Sequence, residues 1–174
     1  MDEILASSFK TIFDQVDYDA IKRDVDEIGF DRFVEECARL SGVTGAAAGL
    51  GGALTMVVGV PASIINNIAQ QFRITLAAIY GRGGALDKPS FDEFMRIVGA
   101  SLGIPVGMKM GNAILISIAN SMLARLGASS VGVMIPLIGA VIGGGLSYHY
   151  IKSIGTCLKT LDMGCEGAPL AKAA

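Results

Sequence analysis

Asn66, Asn67, Gln70, Gln71 and Arg73 crowd four amides and a guanidinium into one short window of the chain. At helical spacing they share one side of a helix whose other side is Ile64, Ile68, Phe72, Leu76 and Ile79. Amides donate and accept hydrogen bonds, and a guanidinium is a permanent cation with five donors. Such a set can hold a polar or anionic group, but it contains no nucleophile and no general base. A solvent-facing stripe is the simpler reading of these five side chains. The alternative is a polar seam lining a groove or small cavity, holding a lipid head group or a partner, with Arg73 as the anion contact. Buried amides would then have to satisfy one another, because an unpaired one costs about 1–3 kcal/mol. Arg73 is also the sole charge between Leu40 and Arg82, so it needs solvent, an internal partner or an anionic ligand.

Other chemistry is thinner. Asp24, Asp26, Gly29 and Glu35 fall at positions 1, 3, 6 and 12 of an EF-hand calcium loop. Ile28 and Arg32 occupy two ligand positions of that loop, however, and Phe30, Phe33 and Val34 continue a helical apolar face, so a helix is the better reading and no metal is expected. His149 is the single histidine, flanked by Tyr148 and Tyr150; it reads as a packed or hydrogen-bonded residue, and a multi-histidine metal site is excluded. Cys37, Cys157 and Cys165 are odd in number and far apart, which suits a reducing compartment and free thiols. Cys37 and Cys157 are expected to be buried, and Cys165 to lie in an exposed tail. No catalytic residue and no cofactor motif emerges.

The glycines point to packing. Gly45, Gly49 and Gly52 lie at i, i+4 and i+7, and Gly132, Gly139 and Gly143 form a similar stripe interrupted by Pro136. Each interior glycine costs a helix about 1 kcal/mol relative to alanine, so a stripe of them implies a compensating close approach of a second helix. A phosphate-cradling loop would need a following Lys-Ser/Thr or a preceding strand, and GAAAGLGGAL supplies neither.

The elements that would position these residues read as helices throughout. Leu5, Phe9, Ile12, Phe13 and Val16 repeat at helical spacing, as do Ile21, Val25 and Ile28, then Phe30, Phe33, Val34, Cys37 and Leu40, with breaks near Asp17 and Gly29. The helix bearing the five polar residues is framed by Pro61 and by Gly81 as its C′ residue. Ser90 and Glu93 make a capping box that starts another helix, stopped near Gly103 and Pro105. Met110 to Ala124, short and uncharged, reads as a core helix.

Composition gives these helices an unusual setting. Apolar residues make up 52% of the chain and charged ones 17%, against roughly 25% charged in an ordinary domain. The 32 residues from Ser41 to Phe72 and the 26 from Leu126 to Ile151 carry no charge, and a helix needs only about 20 apolar residues to cross a bilayer. The absence of tryptophan weakens the interfacial signal. Residues 1–40 hold eleven acids and five bases, a balance of −6, whereas residues 41–174 hold five acids and nine bases, a balance of +4. No dense basic stripe with interleaved aromatics is present, so nucleic acid is not an expected partner. The MDEIL start lacks the basic region of a secretory leader, which implies cytoplasmic synthesis.

The run GAAAGLGGALTMVVGVPASIINNIAQQFRITLAAIYG resembles the EcsC-like family, in which a Gly/Ala-rich helix, a proline and a glutamine-containing helix close on Tyr-Gly. The later run IPLIGAVIGGGLSYHYIKSIG is similar to the family's second signature, a proline and a Gly-rich hydrophobic turn leading into an aromatic, basic helix. The resemblance covers most of residues 41–161 and implies a helical, membrane-associated accessory protein without established catalytic residues.

These readings combine into an all-α bundle of amphipathic and long Gly-rich helices, with membrane-inserted hairpins as one option. The expected organisation is an acidic head at 1–40, a hydrophobic body at 41–161 and a tail at 162–174. The expected function is non-enzymatic and membrane-associated, in transport, trafficking or regulation. A soluble bundle binding lipid or an apolar ligand is the alternative, and a lipid-perturbing or pore-forming protein the third. Expected partners are membrane lipids, a membrane protein or further copies of the chain. The expected location is the cytoplasmic face of a membrane or the membrane itself, with the cytoplasm as the alternative.

Overall fold

The computed structural model describes residues 2–44, 62–83, 87–105, 111–127 and 136–161, which are all-helical and contain no strand. In chain order the helices are α1 (Asp2–Gln15), α2 (Tyr18–Ile28), α3 (Phe30–Thr44), α4 (Ala62–Gly81), α5 (Phe91–Ser101), α6 (Asn112–Gly127) and α7 (Pro136–Thr160). Among the described residues, no helix is long and apolar enough to cross a membrane.

Local chemistry sets the helix boundaries. Asp17 caps α2 by accepting from the Ala20 N–H at 2.9 Å, and Gly29 turns the chain into α3 at φ +77°, a conformation that costs most L-residues strain. Ser90 and Glu93 form the expected capping box at the start of α5. Gly81 does not act as the C′ residue of α4: it stays helical, and Gly83, at φ +72°, takes the left-handed position instead. The Gly83 N–H donates to the Tyr80 carbonyl at 3.1 Å, so the reversal needs one further turn of chain. Pro61 lies outside the described residues.

The apolar stripes of α1, α2 and α3 bury Leu5, Phe9, Ile12, Phe13, Ile21, Val25, Phe33, Val34 and Cys37 as their periodicity requires. Leu40 departs from the stripe and is exposed, because Cys37, Ala38 and Ser41 take the buried face of this part of α3. These helices share one core with α4 to α7. At its centre the rings of Phe9, Phe13, Phe72, Phe91 and Phe94 meet at centroid distances of 4.8–5.8 Å. Burying a Phe side chain of this kind contributes about 1.5–3 kcal/mol. Lys88 closes one edge: its Nζ donates to the carbonyls of Phe13 at 2.6 Å and Val16 at 2.8 Å and lies 4.3 Å above the Phe13 ring. It thereby caps the end of α1, adding a donor to the Phe13 carbonyl, which also accepts the Val16 N–H at 3.2 Å.

Helix α4 is the axle of the bundle and touches every other described helix. Helix α3 runs antiparallel to both α4 and α7: Ser41 meets Asn67 near one end, Phe33 meets Arg73 further down, and Val34, Glu35 and Asp31 meet Gly155, Lys152 and Lys159 of α7. The bundle thus has two unlike ends. One holds the finish of α3 at Thr44 and the start of α4 at Ala62, and the other holds Asp31, Arg82 and Lys159.

Candidate functional site

The five polar residues of α4 are not a solvent stripe. Asn67, Gln70 and Gln71 are buried, and Asn66 and Arg73 half-buried. With its apolar residues Ile68, Phe72 and Leu76 fully buried as well, α4 is enclosed on both sides. The burial follows from its central position: α3 and α7 cover the flank that an outer helix would give to water.

Inside, the seam divides by helical register. Asn67 and Gln71, four residues apart, face the junction with α3 and α7. The Ser41 hydroxyl donates to Asn67 Oδ1, and Asn67 Nδ2 donates to Ser147 Oγ at 3.1 Å, so one amide joins three helices. One turn on, the Tyr150 hydroxyl donates to Gln71 Oε1, and Thr75 Oγ1 donates to the Gln71 carbonyl at 2.8 Å. Burial pushes the Tyr150 hydroxyl well above its ordinary pKa, with Arg125 acting weakly against it, so it remains a donor. Gln71 Nε2 is buried and has no hydrogen-bond partner among the described residues.

Asn66, Gln70 and Arg73 follow each other at i, i+4 and i+7 along the neighbouring face. Gln70 Nε2 donates to Asn66 Oδ1 at 3.2 Å, and Arg73 Nη1 donates to Gln70 Oε1 at 3.1 Å. The guanidinium lies 3.6 Å from the Asp24 carboxylate and 5.2 Å above the Phe33 ring. Arg73 therefore has an internal counter-charge on α2, with about 29% of its side chain still exposed. Behind it Cys37 is buried, and desolvation pushes its thiol up to about 11, with Arg73 pulling the other way. A thiol held that high is a packing group, because the reactive form of cysteine is the thiolate.

The remaining singled-out residues separate. Asp26 accepts from the Tyr80 hydroxyl at 2.9 Å, and Glu35 accepts from Tyr148 at 2.8 Å and Lys152 at 2.8 Å. With Asp24 facing Arg73, the three carboxylates of the calcium-loop spacing share no partner. Lys152, then Tyr148, hold the Glu35 carboxyl below its usual range. Among the described residues no group of three or more His, Cys, Asp or Glu is placed to hold a metal. His149 is exposed, edge-on to Tyr148 at 5.7 Å. Cys157 is half-buried, its thiol 3.6 Å from the Ser101 carbonyl, where full burial was expected: it sits at the margin between α5 and α7. Gly45, Gly49, Gly52, Gly132 and Cys165 lie outside the described residues; Gly139 and Gly143 lie on α7.

Sequence reasoning missed the partners that complete the seam: Ser41, Ser147, Tyr150 and Asp24. It also missed Gly155, where a Cβ would stand 2.6 Å from Val34 Cγ1. A signal was present, since Ser147, Tyr150, Ile151, Ile154, Gly155 and Leu158 fall at i, i+3, i+4, i+7, i+8 and i+11, and all are buried. At the opposite end of the bundle Phe30, Ala78, Gly81, Arg82, Leu158 and Lys159 line a pocket of about 210 Å³. Arg82 also donates to the carbonyls of Leu158, Lys159 and Leu161, closing the end of α7.

No family model, no curated protein and no solved structure matches this chain. The chemistry of the seam is therefore read from its own geometry: amides, hydroxyls and one ion pair, paired with one another apart from Gln71 Nε2, that fix how α2, α3, α4 and α7 meet.

Proposed function

We propose that the chain is a non-enzymatic helical accessory protein that works at a membrane surface, serving a transport, trafficking or regulatory assembly on the cytoplasmic side. One observation carries this reading. Ser147, near the middle of α7, lies beside Asn67 and Ser41, close to the finish of α3 at Thr44 and the start of α4 at Ala62, so the charge-free residues 45–61 are joined to the bundle at the end toward which the charge-free first half of α7 extends. The likeness to EcsC-like proteins supports the same reading. The lack of a described helix long and apolar enough to cross a bilayer favours attachment by one end over a bundle threaded through lipid.

The seam serves this function by bracing the bundle. Arg73 already has a carboxylate, an amide and a ring around it, and a lipid phosphate would have to displace Asp24. The test is flotation of the purified protein with liposomes of neutral and anionic lipid, accompanied by carbonate extraction of cell membranes. Co-flotation is the expected result, and a monodisperse protein that stays at the bottom of the gradient and in the soluble fraction overturns the reading. Arg73→Met keeps the aliphatic stem and removes the charge; it should lower thermal stability and leave flotation unchanged, whereas lost flotation at unchanged stability would assign Arg73 to the lipid.

A second reading, a soluble bundle binding an apolar or amphipathic ligand, draws on the pocket at the Arg82 end, with its apolar floor of Phe30, Ala78 and Leu158. At about 210 Å³ it falls below the roughly 300–1,000 Å³ of ordinary small-molecule sites. The membrane reading is the stronger.

A further inference from the structure

We infer that the pocket at the Arg82 end binds a small amphipathic carboxylate, its apolar body against Phe30, Ala78 and Leu158 and its charge on Arg82 and Lys159. The site goes beyond the membrane reading and does not depend on it. Three helix ends make its walls: Phe30 opens α3, Ala78 and Gly81 close α4 with Arg82 just beyond, and Leu158 and Lys159 close α7. Gly81 keeps one wall bare. It is helical rather than at positive φ, and a Cβ there would meet no atom within 4 Å, so neither backbone conformation nor close packing requires a glycine. At about 210 Å³ the space is too small for a drug-sized molecule, but an apolar cavity of about 150 Å³ takes benzene. One ring, or a chain of about five or six carbons, matches it.

Charge selects the head group. Arg82 and Lys159 bring two cations to the lining, and Asp31 is the one carboxylate paired with either among the described residues, which leaves a single positive charge in excess. Arg82 spends three N–H groups on the carbonyls of Leu158, Lys159 and Leu161, and a guanidinium has five, so two remain for an incoming oxygen. The same bonds cover the end of α7, whose open carbonyls would otherwise repel an anion. At the end of α4 the Tyr80 carbonyl is likewise taken, by the Gly83 N–H. One carboxylate balances the excess charge, whereas a phosphate dianion would overshoot it.

The test is a titration of the isotope-labelled protein with hexanoate, followed by the backbone amide signals in nuclear magnetic resonance, with hexanamide as the neutral match and hexylamine as the cationic one. Hexanoate should shift the Phe30, Gly81, Arg82 and Leu158 signals saturably, and hexanamide should bind about threefold to fivefold more weakly, as the loss of an exposed ion pair implies. Hexylamine should not bind. Gly81→Leu should abolish the hexanoate shifts by occupying the bare wall. Lys159→Met should weaken hexanoate by about the same threefold to fivefold and leave hexanamide unchanged; because the Lys159 side chain is 50% exposed, this variant decides the matter even if the leucine disturbs the end of α4. Equal affinity for all three compounds overturns the carboxylate, and hexanoate binding unchanged in both variants overturns the place. Absence of saturable shifts in the parent protein overturns the site itself and leaves the flotation result, and with it the membrane reading, untouched. Binding that appears only once residues 162–174 are removed overturns it in favour of that segment as the occupant.

Discussion

Replacing Gly155 by alanine probes how closely α3 and α7 approach each other. A Cβ there would lie 2.6 Å from Val34 Cγ1 and 3.2 Å from Cγ2, against a comfortable carbon–carbon separation of about 3.5–4.0 Å. Val34 is 5% exposed and β-branched, and on a helix such a side chain has one strongly preferred rotamer, so its methyls have nowhere to turn. The helices must part instead, straining the Glu35–Lys152 pair and the Ser41–Asn67–Ser147 bridge that tie α3 and α7 together. Overpacking of this kind costs about 1–3 kcal/mol, and exchanging a helical glycine for alanine returns about 1 kcal/mol. The net expectation is a loss of roughly 0–2 kcal/mol, out of a total stability of about 5–15 kcal/mol. Because that range begins at zero, the decisive measurement is a double-mutant cycle with Val34→Ala. The smaller side chain removes the obstructing methyls, so Gly155→Ala should become stabilising by about 1 kcal/mol in that background, with a coupling energy of about 1–3 kcal/mol. Equilibrium urea unfolding followed by circular dichroism gives all four values. Equal effects of Gly155→Ala in both backgrounds would refute the close approach.

Two further outcomes follow from buried groups. Tyr150→Phe removes the donor to Gln71 Oε1 and leaves a fully buried amide with neither polar atom paired, which should cost about 1–3 kcal/mol; adding Gln71→Met should recover most of it in thermal melts, and no recovery would reject the pairing. The Cys37 thiol is held up to about 11 by burial, whereas a free thiol ionises near about 8.5. Its folded pKa is the raised one, so its contribution is complete below about 8.5 and is lost as pH rises toward 11. The urea midpoint should therefore fall more steeply between pH 8.5 and about 10.5 in the parent protein than in Cys37→Ala, and identical slopes would show that Cys37 is not shielded from water.

The all-helical fold was legible because each outer helix carries a periodic apolar stripe, and because Asp17, Gly29 and the Ser90–Glu93 box announce their boundaries chemically. Helix α4 was legible as a helix and ambiguous in its surroundings. A stripe of Asn, Gln and Arg looks alike whether water or other side chains satisfy it, and the residues that decide, Ser41, Asp24, Ser147 and Tyr150, are distant in sequence. The Asp24 pairing of Arg73 could not be read locally for the same reason. Gly155 was overlooked because it stands alone in sequence, whereas the close approach it permits is a property of the opposite helix. The calcium-loop spacing failed in the reverse sense: its carboxylates are near in sequence, and the bend at Gly29 leaves them facing Arg73, Tyr80, Tyr148 and Lys152.

The bridges across the seam also set a timetable for the chain as it is made. Tyr150 lies 79 residues after Gln71, Ser147 lies 80 after Asn67, and Lys152 lies 117 after Glu35. At about 5–20 residues per second, roughly 4–16 s separate the synthesis of the α4 amides from that of the groups that satisfy them. Throughout that interval α4 is complete while the helix that covers one of its flanks does not yet exist. Until α7 is made that flank of α4 is open, and any apolar surface that bound it would compete with α7 for the same side chains.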